Sequence, residues 1–329
     1  MVPAIGVEVG RIPPGRLTSR RRCSIIYEPI LAPESASMMH PLGRRDFLKV
    51  SAAVTASLLP AAAPAAEAKK PVIRKAVKYN GIKVNGDDLA KFQLAKKCGF
   101  QGVEIDSPSK LDLEKLVAAS EATGIKIHGV IDSVHWNDTL SHPKEEIRAK
   151  GLKALEGAIR DAAVVGADTV LLVPGVVNKD VTYEQCYERS QAEVKKALPL
   201  AEKHKIKIAI ETVWNNFITK PEQLVQYVDD FKSEWVAAYF DISNMIKYGV
   251  PPADWIRKLG KRMVKFDFKG YSNSKQWVFI GEGDENWPEV RKALAEVGYD
   301  GWATEEVGGG DEARLLKIAA AMDKALGLN

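Results

Sequence analysis

The chain has 329 residues, of which 46% are hydrophobic and 27% are charged, and its formal net charge at pH 7 is +4. This length suits one large α/β domain with an extension or two modest domains, and the composition is that of a folded globular protein. Most of the positive excess lies in residues 1–68. The nearly neutral remainder offers no electrostatic footprint for a nucleic-acid backbone, so we expect no nucleic-acid partner.

The first 68 residues have the features of an export leader. Residues 44–49 read RRDFLK, an apolar run follows over residues 50–59, and residues 66–68 read AEA, which fits a small-x-small cleavage site. Paired arginines before such a run are typical of a twin-arginine signal. We therefore predict an exported, periplasmic protein; the alternative is a basic, alanine-rich arm without structure. The apolar run is too short for a stable membrane span.

A second candidate start lies inside this leader. Met38 and Met39 stand just upstream of the paired arginines. Residues 1–37 are rich in proline and arginine, and we interpret them as the product of a start assigned too early. The domain prediction is a leader over residues 1–68 and one folded domain over residues 69–329.

From residue 69 onward, strand and helix patterns alternate. The predicted strands are 75–79, 102–105, 126–130, 169–173, 207–211, 236–241, 263–268 and 301–306. The predicted helices are 87–97, 111–122, 144–165, 183–203, one that begins at Pro221, 253–259, 288–296 and 311–326. Eight strand–helix units in this length predict a single (β/α)8 TIM barrel. A doubly wound sheet would show a glycine-rich phosphate turn after its first strand, and none is present.

Acidic residues end the last four predicted strands: Glu211, Asp241, Asp267 and Glu306. Parallel strand ends converge on one rim of a barrel, where active sites lie. Carboxylates brought together repel one another, so a divalent cation is the natural species to hold them. The alternative is four unrelated helix caps or surface salt bridges. Their placement on consecutive strands favours a metal site formed by all four.

Strand alternation indicates which side chains face the barrel mouth. Ile206, Ile208 and Ile210 share one face of the fifth strand, which suits packing under the helices and turns Glu211 inward. In the seventh strand the same argument turns Asp267 inward. Alternation leaves open whether Glu305 or Glu306 faces inward on the eighth strand.

Several segments together resemble the xylose-isomerase-like barrel superfamily of sugar isomerases and epimerases, which also includes AP-endonuclease-type barrels. They are HGVIDSVHWNDTLSHP, DTVLLVPG, IAIETVWN, YFDISN, GEGD and GYDGWATEEV. The resemblance implies one divalent metal held by a Glu, an Asp, a His and a Glu, of which Glu211, Asp241 and Glu306 match three. Asp267 stands in the place of the histidine. A ligand set made only of carboxylates favours Mn²⁺, with Mg²⁺ or Co²⁺ as alternatives.

The resemblance also implies a reaction: isomerisation or epimerisation of a sugar by proton abstraction next to a metal-bound ketose carbonyl, through an enediolate. Glu211 and Glu306 would exchange the proton, and Lys269 would stabilise the oxyanion, the alternative being an ion pair with a neighbouring carboxylate. A second hypothesis is a 3-keto-glycoside lyase that begins with the same abstraction and then eliminates. A third is a non-catalytic, exported sugar-binding barrel.

The expected partner is a small carbohydrate, and the oligomeric state is not predicted. Candidate substrate contacts are polar or aromatic residues near predicted strand ends: His128, His135, Trp136, Trp214, Asn244 and Glu104. For the histidines the alternative is a satisfied core position, and for the tryptophans it is packing under loops. Asn244 can hydrogen-bond a sugar hydroxyl but cannot act as a base.

Overall fold

A computed structural model describes residues 71–328. The barrel strands are β1 (Val72–Lys78), β2 (Gly102–Ser107), β3 (Lys126–Asp132), β4 (Thr169–Leu172), β5 (Lys207–Glu211), β6 (Val236–Asp241), β7 (Met263–Phe268) and β10 (Asp300–Glu305). These eight parallel strands form a closed barrel in the order β1-β10-β7-β6-β5-β4-β3-β2. The fold prediction is confirmed, and every predicted barrel strand is present.

Helices follow the barrel strands and surround them. They are α1 (Asp88–Lys97), α2 (Leu113–Thr123), α3 (Glu145–Val165), α4 (Tyr183–His204), α5 (Pro221–Asp229), α6 (Pro252–Leu259), α7 (Trp287–Glu296) and α8 (Glu312–Leu326). Their ends follow from local chemistry. For example, Thr182 and Gln185 form a capping box at the start of α4, and Gly166 ends α3 in a left-handed conformation.

The main hydrophobic core lies between the strands and the helices. Ile206, Ile208 and Ile210 belong to this core, whereas Ala209 belongs to a small cluster with Leu171 and Tyr239. The predicted alternation of β5 is therefore confirmed. Because side chains alternate along a strand, it places the Glu211 side chain on the same side of β5 as Ala209.

A short antiparallel hairpin, β8 (Gly270–Ser272) and β9 (Gln276–Val278), follows β7. The sequence pattern does not indicate this hairpin, because three-residue strands carry too little periodicity to be recognised. Gly270 permits its geometry, since a β-carbon at this position would collide with the carbonyl oxygen of Phe279. The hairpin brings Trp277 to the rim of the barrel.

Among residues 71–328, none of the helices combines the length and the apolar character that crossing a membrane requires. The predicted leader, its cleavage site and the alternative start all lie outside the described residues. The boundary between leader and barrel therefore stays a prediction.

Candidate functional site

The carboxyl ends of the barrel strands surround a cavity of about 450 Å³. This volume is within the range of small-molecule binding sites. The cavity is lined by Lys78, Tyr79, Asn80, Glu104, Asp106, Ile131, His135, Trp136, Leu171, Glu211, Val213, Trp214, Asn244, Lys269, Trp277 and Glu306. Most of the candidate residues named from the sequence are among them. Asp241, Asp267 and His128 are not.

Asp241 and Asp267 lie just behind the cavity wall. They are paired in register on neighbouring strands, and both are fully buried. Burial raises the pKa of Asp241 to about 7 and that of Asp267 to about 8, because the charged form loses its hydration. Nearby ammonium groups act in the opposite direction on both carboxyls.

Lys78, at the end of β1, is a charged partner that the sequence analysis missed. Its Nζ donates to Oδ2 of Asp267 and to Oε2 of Glu104, at 2.6 Å in each case. Burial disfavours the ammonium form, but the surrounding carboxylates, with Asp267 first, outweigh this effect and raise the pKa of Lys78. Lys78 therefore remains a cation inside the acidic cluster.

Lys269 occupies the corresponding position on the other side of the acidic cluster. Its Nζ donates to Oδ2 of Asp241 at 2.8 Å and also contacts Glu306. Asp241 accepts two further hydrogen bonds through Oδ1, from the backbone N–H groups of Ser243 and Asn244. The ion pairs that were the alternative role for Lys269 are thus present, and Asp241 is held on both oxygens.

Glu211 differs from the other acids in having no such partner. No described residue donates a hydrogen bond to its carboxylate, although the side chain lines the cavity and the residue is only 6% exposed. Burial and the charges of Glu306 and Asp267 raise the pKa of Glu211 well above its usual range. For Glu306, burial is outweighed by Lys269 and Lys78, so its pKa is lowered. The two glutamates therefore differ in proton affinity.

The acidic cluster fits a hard divalent cation. One oxygen from each of Glu211, Asp267 and Glu306 lies within 4.8 Å of the other two, and all three donors are carboxylates. Asp241, the fourth predicted ligand, does not belong to this group. Lys78 and Lys269 contact Asp267 and Glu306, so a cation would have to replace or share those contacts.

Glu306, and not Glu305, faces the cavity. Glu305 is buried and accepts a hydrogen bond from the backbone N–H of Val307 at 3.0 Å. Glu306 follows the last residue of β10, and its backbone N–H donates to the carbonyl oxygen of Phe268. That bond continues the pairing with β7 and turns the Glu306 side chain toward Lys269.

His135 is placed to bind a polar ligand. Its Nδ1 accepts a hydrogen bond from the backbone N–H of Val173 at 3.2 Å. Burial lowers the pKa of His135 to about 4, so the ring is neutral and carries its proton on Nε2. Because His135 lines the cavity, this N–H is a donor available to a ligand hydroxyl or carbonyl.

His128 is not brought to the cavity. It is 3% exposed and stacks on Trp302, with 4.8 Å between the ring centres. Its Nε2 lies 3.3 Å from the hydroxyl of Thr304, and its pKa is lowered strongly by burial. His128 therefore occupies a core position, as in the alternative expectation for a strand histidine, but it is not fully satisfied, because its Nδ1 has no partner among the described residues.

Aromatic side chains form part of the cavity wall. Trp214 donates its indole N–H to the carbonyl oxygen of Asn244 at 2.7 Å and stacks on Trp277. Trp136 is 49% exposed at the wall. Trp277 also lines the cavity, but it was not a candidate from the sequence, because its hairpin was not predicted. The only signal in the sequence was its position after the seventh predicted strand, where barrel loops carry functional residues.

Comparison with known proteins identifies the family. The profile of the xylose isomerase-like TIM barrel family matches residues 92–325. An uncharacterised protein of Methanocaldococcus jannaschii is 28% identical over 170 residues, which is 48% of this chain and 56% of that protein. The chain thus spans little more than half of this relative. An L-ribulose-5-phosphate 3-epimerase of Shigella flexneri is 24% identical over 228 residues, 65% of this chain and 79% of that enzyme.

Solved structures share the fold at low sequence identity. The 3-keto-D-glucoside 4-epimerase of E. coli superposes with a TM-score of 0.65 at 17% identity, covering 78% of this chain and 99% of that one. The IOLI protein with a bound zinc atom superposes with a TM-score of 0.66 at 16% identity, covering 78% and 98%. At these identities the likeness establishes the barrel and nothing finer.

Proposed function

The chain belongs to the xylose isomerase-like TIM barrel family, and from this premise we propose that it is a sugar epimerase or isomerase that moves a proton at the carbon next to a sugar carbonyl. One observation carries the proposal: Glu211 and Glu306 line the same cavity, and the Glu211 carboxylate accepts no hydrogen bond from any residue within 71–328. Pairs of titratable groups with different environments are typical of acid–base catalysis. The similarity to an L-ribulose-5-phosphate 3-epimerase and to a 3-keto-D-glucoside 4-epimerase also supports the proposal.

In the proposed reaction, one of Glu211 and Glu306 removes the proton from the carbon beside the carbonyl. The bonding electrons of that C–H form an enediolate with the carbonyl. The other glutamate returns a proton, either to the opposite face of the same carbon or to the neighbouring carbon. The first outcome is epimerisation. The second is isomerisation, in which the hydroxyl proton on the deprotonated carbon also moves to the former carbonyl oxygen. The raised pKa of Glu211 makes its carboxylate the stronger base of the two, and the lowered pKa of Glu306 makes its carboxyl the stronger acid.

The ammonium groups of Lys78 and Lys269 stabilise the negative charge that develops on the sugar oxygens. Both lysines line the cavity and both are held in place by buried carboxylates. A fixed charge in a water-poor site interacts with a developing oxyanion more strongly than it would in water. Lys78 therefore shares with Lys269 the proposed role of stabilising the oxyanion.

A divalent cation would be held by Glu211, Asp267 and Glu306, with Asp241 adjacent. When bound, it would supply Lewis-acid polarisation of the sugar carbonyl. The carboxylate donors favour Mn²⁺ or Mg²⁺ over metals that prefer nitrogen or sulfur ligands. The protein residues that orient the sugar are His135, through its Nε2–H, and the amide of Asn244, both on the cavity wall.

The test is product analysis. Metal-loaded protein is incubated with free ketoses and with 3-keto-glycosides, and the products are separated by chromatography and weighed by mass spectrometry. We expect a new sugar of unchanged mass. Release of an aglycone would assign the lyase reaction instead, and no product from any compound would favour the sugar-binding barrel.

A further inference from the structure

A second cavity adjoins the candidate site. It has a volume of about 730 Å³ and shares three wall residues with the first cavity: Lys269, Trp277 and Glu306. These side chains border both spaces, so the second cavity lies directly beside the candidate site and is separated from it by the side chains of Lys269, Trp277 and Glu306.

The wall between the cavities contains an exposed indole whose plane is fixed. Trp277 is 46% exposed, yet it stacks on Trp214 with 4.7 Å between ring centres and 23° between planes. Tyr271 contacts it edge-on, and the Nζ of Lys269 lies 5.0 Å from its ring centre. A held, exposed indole loses little side-chain entropy when a ligand ring stacks on it.

The far side of the second cavity is also ordered. The guanidinium of Arg314 lies 4.6 Å from the ring centre of Phe279 and donates to the carbonyl oxygens of Val307 and Gly308. Arg314 therefore covers one face of the Phe279 ring, so a ligand cannot stack on that face. Trp277 is consequently the aromatic surface best placed to meet a ligand.

We propose that the second cavity is a subsite for a ring-shaped substituent, so that the substrate is a keto-glycoside carrying an aryl or sugar group and not a free ketose. This inference rests on the proposed function, which places the reacting sugar ring in the first cavity. Glu306 borders both cavities, so the subsite begins beside a proton-transferring residue. A free ketose bound at Glu211 in the first cavity would leave the second cavity unfilled.

Binding of unreactive glucosides tests the subsite without requiring turnover. Isothermal titration gives Kd for methyl glucoside, phenyl glucoside and methyl cellobioside with the intact chain. We expect phenyl glucoside to bind about threefold to tenfold more tightly than methyl glucoside, the range of one aromatic stacking interaction. The cellobioside shows whether a sugar ring is accepted in place of an aryl ring.

Two variants locate the effect. Trp277→Ala is expected to bring the methyl-to-phenyl Kd ratio close to one. Leu316→Ala, an exposed residue of α8 that lines neither cavity, is expected to keep the wild-type ratio. Trp277→Phe, which keeps an aromatic ring on the hairpin, is expected to retain part of the wild-type ratio and separates loss of the indole from disturbance of the hairpin.

Equal affinity of the glucosides for the wild type, loss of both affinities alike in Trp277→Ala, or no binding of any glucoside would overturn the subsite. Solvent deuterium uptake by keto-sugars reports separately on the proposed function. Ring-selective binding without deuterium uptake would reject the proposed reaction alone. Deuterium uptake without ring selectivity would reject this inference alone.

Discussion

The ammonium group of Lys78 lies 2.6 Å from Oδ2 of Asp267, and this ion pair joins the first barrel strand to the seventh at the site. The same ammonium binds Glu104 in the middle of β2. Both carboxylates are fully buried, and the Lys78 side chain is 19% exposed. Lys78 is thus one of two ammonium groups that neutralise the acidic cluster, the other being Lys269.

Replacing Lys78 with Met should destabilise the barrel. The substitution keeps much of the side-chain volume but leaves two buried carboxylates without their cation. Removal of one partner from a buried ion pair costs about 3–5 kcal/mol. Urea unfolding of the metal-free protein at pH 9 measures the loss, because Asp267, whose pKa is raised to about 8, is ionised there. Lys97→Met breaks the exposed pair with Glu312 and should cost less than about 1 kcal/mol. Equal losses in the two variants would contradict the assigned role of Lys78.

The buried aspartates predict a pH dependence of stability. Burial raises the pKa of Asp267 to about 8, whereas an Asp in an unfolded chain titrates near pH 3.9. Between these values the folded state binds more protons than the unfolded state, so this group lowers the free energy of unfolding as pH rises from about 4 to about 8. Asp241, whose pKa is raised to about 7, acts in the same direction.

The variant Asp267→Asn isolates this contribution. The free energy of unfolding is measured for both proteins with a chelator present. The value for the variant minus the value for the wild type should increase as pH rises from 5 to 8, because the amide does not titrate. A constant difference between the two proteins across that range would show that Asp267 is ionised throughout.

Metal binding should stabilise the fold and should depend on Glu211. At a metal concentration of about 100 Kd, the expected gain in the free energy of unfolding is about 2.7 kcal/mol.

Glu211→Gln should weaken Mn²⁺ binding by at least about tenfold, since loss of even an outer-shell partner has effects of that size. Electron paramagnetic resonance of free Mn²⁺ measures the affinity. Glu188→Gln on the exposed face of α4 is the matched control. Equal affinities in both variants would remove Glu211 from the ligand set.

The leader makes a prediction that is independent of the barrel. If residues 44–49 form a twin-arginine signal, replacing Arg44 and Arg45 together with Lys should retain the protein in the cytoplasm of a bacterial host. Cell fractionation and immunoblotting measure the distribution. Undiminished export of the double variant would reject the signal, and replacement of Lys49 by Arg provides a charge-preserving control.

The barrel fold and many of the residues at its rim could be predicted from the sequence, because both depend on simple periodicity. Glu211 was placed inward from the alternation of Ile206, Ile208 and Ile210, and these isoleucines do pack under the helices. Strand-end acids come together in a parallel barrel whatever the loops do, which is why the acidic cluster could be anticipated.

What sequence reasoning missed depends on contacts between distant strands. Lys78 ends β1 just as the acids end later strands, but a lysine at a strand end has no signature until its buried partners Glu104 and Asp267 are known. His128 was considered for the substrate on its position in β3. Its depth in the barrel beside Trp302 is set by the register of the strands, which the sequence does not reveal.

The central claim is that Glu211 and Glu306 move a proton between a sugar carbon and solvent. The most direct measurement is proton NMR. A keto-sugar is incubated in D₂O with the wild type, Glu211→Gln or Glu188→Gln, and the loss of each proton signal is followed. The account predicts deuterium at one carbon beside the carbonyl with wild type and Glu188→Gln, and a rate lower by about 10²-fold or more with Glu211→Gln. Undiminished deuterium uptake by a folded Glu211→Gln variant would contradict it.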